Sequence, residues 1–244
     1  MFRLVSPLGG LGIGSRGGGA TTFTPSDISG LDLWLQPSNV SQSDNTVIAS
    51  VTMSVGGDAT QATEANKPTW QTNELNGYGV IRYDGGDFLT TALSATQKPV
   101  TWFAVVKVTD FLTVRSIVGS SAADGLQWRT NTTTGTQSLL DQGTAAIGTS
   151  STGLTAATWT IIAATYSGVG AFAFYLNGVA DGTGTVDRAF ASGTLRIGFN
   201  SDGTEPYLGD IAEMLRYDSV LATGNLNSVG SHLATKYGLT WTGL

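Results

Sequence analysis

Residues 206–218 read PYLGDIAEMLRYD, a strand with β-branched and aromatic positions, and one short amphipathic segment follows it before the chain ends. In that segment Thr223 is a candidate N-cap, and Leu226, Val229, Leu233 and Tyr237 fall on one helical face. The segment closes on Lys236-Tyr237-Gly238-Leu239, where the glycine supplies a left-handed stop and the lysine complements the last-turn carbonyls. Gly224 and Gly230 lower helix propensity, so this helix must depend on packing against a sheet.

Upstream, strands alternate with glycine-rich turns. Leu31, Leu33 and Leu35 alternate with Asp32, Trp34 and Gln36, the two-residue period of a half-buried strand. Further strands are expected at 78–83, 100–108, 115–118, 126–129, 159–166, 171–176, 194–199 and 207–217. Asp84-Gly85-Gly86, Ser167-Gly168-Val169-Gly170 and Asn177-Gly178 punctuate them, the last suited to a type I′ hairpin turn. Residues 39–66 read as loop with one or two short strands. No repeat of 20–50 residues is present, which argues against propellers and solenoids.

The chain has 244 residues, a length that all-β sandwiches fill with one core. Charged residues make up 12%, about half the usual share, so Thr, Ser, Asn, Gln and Gly must cover the surface. A net charge of −6 offers no electrostatic footprint for nucleic acid or an anionic membrane. Cysteine is absent, which excludes disulfides and thiolate-bound zinc. Residues 1–24 form a Gly-rich leader whose Pro7, Gly9, Gly10 and Gly12 interrupt any export-signal core. They are expected to dock on a partner through Phe2, Arg3, Leu4, Leu8, Leu11, Ile13 and Arg16, ahead of a sandwich domain at 25–244. Within the leader, Gly12-Ile13-Gly14-Ser15-Arg16-Gly17 matches G-x-G-x-x-G without the strand and helix a dinucleotide site needs.

Several segments taken together resemble the concanavalin A-like lectin/glucanase superfamily, in its laminin-G-like branch. They are Leu31-Asp32-Leu33-Trp34-Leu35, Lys67-Pro68-Thr69, Asn76-Gly77, Val80-Ile81-Arg82-Tyr83-Asp84-Gly85 and Trp159 with Ala164-Thr165-Tyr166. Tyr175-Leu176-Asn177-Gly178, Leu195-Arg196-Ile197-Gly198 and Gly209-Asp210-Ile211-Ala212-Glu213 with the helix complete the set, over about residues 27–240. The resemblance implies an all-β fold, an antiparallel two-sheet jelly-roll sandwich with a short C-terminal α-helix. Function does not follow from that fold.

A glucanase of the superfamily would carry E-x-D-x-E on one strand, because retaining hydrolysis sets two carboxylates about 5 Å apart on one face. That pattern is absent. Asp210 and Glu213, three residues apart, should face opposite ways on a regular strand, and Asp84 and Asp87 flank a turn. No catalytic residue is assigned. Glu213 should share a buried face with Ile211, Leu215 and Tyr217, as a structural carboxylate paired with Arg82 or Arg216. His232, the sole histidine, lies beside the helical packing stripe.

Calcium is a ligand the resemblance implies, with Asp124, Asp181 and Asp202 as loop oxygen donors, but no clustered acidic loop supports a metal and no cofactor is expected. For carbohydrate the best grouping is Asp124, Trp128 and Arg129 with Asn200, Asp202 and Tyr207, the alternative being that Trp128 is core and the others form turns. The expected role is a non-enzymatic bacteriophage virion protein: a capsid decoration, head fibre or tail-associated adhesin. Its partners would be other virion proteins reached through the leader, a host glycan, and symmetry mates in a homotrimer, with a monomer on the capsid equally compatible. The alternative is the carbohydrate-binding lectin module of a secreted bacterial protein, with a glycoside hydrolase behind both.

Overall fold

The computed structural model of the protein describes residues 22–95, 99–142, 145–168, 170–186 and 190–244. Sixteen strands and one α-helix follow in order: β1 (Leu31–Leu35), β2 (Ser50–Thr52), β3 (Asp58–Thr60), β4 (Thr69–Leu75), β5 (Tyr78–Asp84), β6 (Leu89–Ser94), β7 (Val100–Val108), β8 (Arg115–Ser120), β9 (Leu126–Thr130), β10 (Thr136–Asp141), β11 (Ala145–Gly153), β12 (Thr160–Tyr166), β13 (Gly170–Leu176), β14 (Val179–Val186), β15 (Thr194–Ile197), β16 (Leu208–Tyr217) and α1 (Thr223–Tyr237). Sheet A runs β14-β13-β12-β7-β16-β5-β4, with β1 also on β16; sheet B runs β11-β10-β9-β8-β15-β6-β3-β2. Among the described residues every strand pairing is antiparallel. The expected jelly-roll sandwich with one terminal helix is what forms.

Sheet A is covered on both faces, which makes three layers. Its inner face, with Ile81, Trp102, Ala104, Val106, Ile162, Phe174, Ile211 and Met214, meets Trp128, Leu139, Leu195 and Ile197 of sheet B. Its outer face, with Val80, Phe103, Val105, Ile161, Ala163 and Leu215, is capped by α1. A central strand covered on both sides must be largely apolar, and β7 is buried at eight of its nine positions, with only Thr101 and Lys107 polar.

The predicted stripe Leu226, Val229, Leu233 and Tyr237 is buried against sheet A. Burying four such side chains contributes roughly 1.5–3 kcal/mol each, which outweighs the helix-propensity cost of about 1 kcal/mol per glycine. Gly230 also has a packing reason, since a Cβ there would fall 2.2 Å from the ring of Trp241, which folds back over the helix. Gly238 takes the left-handed conformation that ends the helix, at φ 66°. Thr223 is the first helical residue rather than the cap; Ala222 holds that position with no side-chain bond.

One irregularity decides where the carboxylates go. Along β16, Ile211 pairs with Val106 and Glu213 with Val105, so Ala212 is an extra residue that forms a bulge. Side-chain alternation slips by one there. Ile211 and Met214 enter the inner core, whereas Ala212, Leu215 and Tyr217 join the outer one. Asp210, which meets the outer-face Lys107, and Glu213, which meets α1, consequently share the outer face that a regular strand would have divided between them. Glu213 is on the side of Leu215 and Tyr217 as expected, but not of Ile211.

Candidate functional site

Glu213 is 0% exposed and accepts three hydrogen bonds. Trp34 Nε1 donates to Oε1 at 2.6 Å, while Lys236 Nζ and the Tyr237 hydroxyl donate to Oε2 at 2.5 and 2.7 Å. Its ionic partner is thus Lys236, from the helix, and neither arginine expected. Arg82 pairs with Asp210 and Arg216 with Asp32. Burial, and then the Glu213 carboxylate, push the Tyr237 phenol far above its ordinary range, so it stays a donor at neutral pH. Three donors on one buried carboxylate offset its desolvation, which an unpaired charge could not survive.

Those bonds also fix Trp34 and Lys236 at the edge of the surface, above the buried Tyr237. Lys236 Nζ donates to Gln36 Oε1 at 3.0 Å and lies 5.5 Å over the Tyr78 ring, which stacks edge-on against Tyr237 at 5.4 Å. Between β1, the start of β5 and the solvent side of α1 opens a groove of ≈ 810 Å³, within the range of small-ligand sites. One wall carries Phe23, Trp34, Gln36 and Tyr78, with Tyr78 still 39% exposed. The other is helical. Asn227, Ser231 and Thr235 recur every four residues and Ser228, His232 and Lys236 do the same one position on, so two polar rows face the aromatic wall.

His232 packs edge-on against Phe23 at 5.9 Å, its Nε2 buried without a partner. Burial is the main cause that lowers its pKa, and the imidazole is neutral near pH 7.

The grouping expected from sequence lies elsewhere, around the segment from Gly198 to Tyr207. Trp128 is 0% exposed, inclined against Trp102 with centroids 6.5 Å apart, and Nε1 donates to Gln137 Oε1 at 3.2 Å. Tyr207 is equally buried, edge-on to Tyr83 with its hydroxyl donating to the Asp210 carbonyl. Neither ring has a face to offer a sugar, because strand alternation turns Trp128 inward and Tyr207 closes the end of the core. The reading of Trp128 as core is the one that fits.

Arg129 is ion-paired with Glu205, which also accepts from Gln127 Nε2 at 2.7 Å. Asn200 Oδ1 accepts from the backbone of Gly203 and Glu205, and Asp202 Oδ1 from Thr204, whose hydroxyl and N–H hold the Asp202 carboxyl below its usual range. Both are turn formers. Asp124 is exposed, and its carbonyl accepts from Ala191 N at 2.8 Å.

Asp84 and Asp87 build their turn as expected, Asp84 Oδ1 accepting from Gly86 N and Asp87 Oδ2 from Asp84 N. Asp181 is buried and accepts from Thr152 N, away from any acidic cluster; among the described residues no three His, Cys, Asp or Glu side chains come together as metal ligands. Asp210 is held by Arg82 at 2.7 Å and Lys107 at 2.6 Å. The bulge therefore brings two carboxylates to one face, yet each is fully engaged by its own donors. The leader residues Phe2, Arg3, Leu4, Leu8, Leu11, Ile13 and Arg16, and the glycine motif with them, lie outside the described residues.

Sequence reasoning missed the groove. The signals were present: Trp34 alternates against Leu33 and Leu35, and α1 opposes its apolar stripe with Asn, Ser, His and Thr. Nothing local says that those two features meet.

Comparison with known proteins agrees with this architecture. A family model described as the concanavalin A-like lectin/glucanases superfamily matches residues 83–225, more than half of the chain. Domain 4 of a GH43 extracellular arabinanase from Geobacillus stearothermophilus, solved with arabinotriose, superposes with a TM-score of 0.58 at 15% identity over 82% of this chain and 98% of that one. The ligand-binding domain of botulinum neurotoxin serotype D, solved with N-acetylneuraminic acid, gives 0.62 at 16% identity over 88% of this chain and 56% of that domain. A Trypanosoma rangeli sialidase with the inhibitor DANA gives 0.57 at 14% identity, over 87% of this chain and 34% of the enzyme. The chain thus spans about half the length of the toxin domain and a third of the sialidase. No curated protein sequence matches it. At such identities the structural likeness carries the fold alone, and the family match carries membership: the chain belongs to the concanavalin A-like lectin/glucanases superfamily.

Proposed function

We propose that this chain is a non-catalytic adhesion domain that holds a surface glycan in the groove beside α1. The leader, on this reading, carries it on a larger particle, as a capsid decoration, head fibre or tail-associated adhesin of a bacteriophage virion would be carried. The observation that supports glycan binding is the make-up of the groove, aromatic on one wall and hydroxyl and amide on the other. A pyranose has the same division. Its C–H face packs on the electron-rich face of Trp or Tyr, and its rim of hydroxyls seeks amide and hydroxyl partners.

Asp210 and Glu213 argue for binding over hydrolysis, since each already neutralises a cation and neither is free as nucleophile or acid. The arabinanase domain and the toxin domain, solved with sugars, are precedents for this architecture accommodating them. The particle half rests on composition, a low-charge surface behind a glycine-rich leader.

The two halves separate experimentally. On a glycan array the full chain should bind at least one oligosaccharide, and Trp34→Ala should weaken that binding by about tenfold or more; binding indifferent to Trp34 sinks the groove. Deletion of residues 1–21, which spares Thr22 and Phe23 of the groove, should abolish incorporation into particles while array binding persists. Incorporation at full level would instead leave a free lectin module.

A further inference from the structure

We infer that the groove beside α1 selects uncharged saccharides and discriminates against sialylated or uronic-acid-bearing chains; the inference rests on the glycan reading above and specifies its ligand class. Among the described residues that line the groove, Lys236 alone carries a permanent charge. That charge is already matched. Nζ meets the fully buried Glu213 carboxylate at 2.5 Å, is hydrogen-bonded to Gln36 Oε1, and lies over the rings of Tyr78 and Tyr237 at 5.5 and 5.3 Å.

A ligand carboxylate could recruit Lys236 only by drawing it away from Glu213. That would leave a buried anion with one cation fewer, a cost comparable to breaking a buried ion pair. Of the lining groups, His232 is the one whose ordinary pKa lies near neutrality, and partial burial holds it neutral near pH 7, with Glu213 and Lys236 acting on it in opposite senses. An acidic sugar entering this groove would lose hydration and gain no cation in return. Long-range charge works in the same direction, since the chain as a whole carries −6.

What the groove offers is suited to hydroxyls. Ser231 and Thr235 are exposed on the helical wall, and Asn227 turns its Oδ1 to Trp241 Nε1 and the Leu244 N–H, which leaves its amide donors to the groove. From Asn227 to Thr235 the helix rises about 12 Å, so this wall reaches along more than one sugar ring.

The test uses the full chain against immobilised neutral oligosaccharides, each paired with its acidic counterpart, such as lactose with sialyllactose. Titration calorimetry follows on the strongest pair, for the native chain, Trp34→Ala and Ser231→Tyr. Ser231→Tyr fills the groove from an exposed helical position outside the Glu213 network, so loss of binding in it does not reflect misfolding. The expected result is binding to neutral members, about tenfold or more weaker for acidic partners, and lost in both variants. Equal or tighter binding of acidic members that still depends on Trp34 and Ser231 would overturn the charge inference and leave the glycan reading intact. Absence of binding across the array, or binding that both variants retain, would overturn both. So would a dimer of the native chain that Ser231→Tyr converts to monomer, because the groove would then belong to a second copy.

Discussion

The outward face of sheet B and the solvent side of α1, which covers the outer face of sheet A, both carry polar side chains, and they use them in opposite ways. On sheet B, Arg129 and Gln127 are bound by Glu205, Gln142 bonds Ser201 and Ser120, and the Phe199 ring stacks on Phe88 at 4.7 Å. The segment between β15 and β16 is thereby fastened down. Over sheet A a buried carboxylate fixes Trp34 and Lys236 from below, and the hydroxyls and amides of α1 stand in the open beside Lys236 and opposite Trp34. A cluster of polar residues and aromatics in sequence is thus poor evidence of a site until it is known whether the groups satisfy one another.

The strongest way to break this contrast is Glu213→Ala. It would leave Lys236 without its carboxylate, Trp34 Nε1 without an acceptor and the Tyr237 hydroxyl with only its 3.4 Å bond to the Ala212 carbonyl, with an expected loss of about 3–5 kcal/mol in urea unfolding. Glycan binding should go with it. A loss under about 1 kcal/mol would mean that the aromatic wall does not hang on Glu213. Trp128→Phe sharpens the other side. Loss of ring volume and of the bond to Gln137 should cost about 2 kcal/mol with glycan affinity unchanged; affinity lost at native stability would move the site to sheet B.

A smaller effect is expected for Glu205→Gln, which leaves Arg129 without its anion on a surface about one-fifth exposed. Solvent screens such a pair, so the cost should be about 1 kcal/mol, read from the shift in denaturant midpoint, and should shrink at high salt. If the variant instead gained glycan binding independent of Trp34, the fastened segment would be a closed site, and the two faces would have exchanged roles.

How far the sequence carried these features depended on period. The central strands were legible because burial on both sides demands near-continuous apolar runs, as in Trp102–Val106 of β7. The strands β4, β6, β10, β11 and β14 were not identified, because their Thr, Ser, Gly and Gln positions show no hydrophobic alternation. A fixed two-residue period also could not reveal the bulge at Ala212, and one extra residue reversed the relation of Asp210 to Glu213. The groove was least legible of all. Trp34, Tyr78 and α1 are far apart along the chain; Glu213 ties Trp34 to the helix and Tyr78 meets the helix through Lys236 and Tyr237, while the sequence points to an arginine as the partner of Glu213 and a helix-borne lysine holds it.

The smallest expected effect tests the neutrality of the groove. Burial lowers the His232 pKa from its ordinary value of about 6.5, so on acidification the unfolded chain takes up this proton before the folded one does. Stability should then fall as the pH drops from 7 through the ordinary value, and flatten below the folded one. Glu213 and Lys236 face the imidazole with opposed influences, and the ring is only half-buried, so the change should stay below about 1 kcal/mol. His232→Gln should abolish this part of the slope, measured as the difference between the urea midpoints of native and variant chains at pH 5 and pH 7. The opposite sign, with His232 raising stability at pH 5, would make the imidazole a cation in the folded protein. The groove would then gain positive charge in mild acid, and its preference for neutral sugars would weaken as the pH fell.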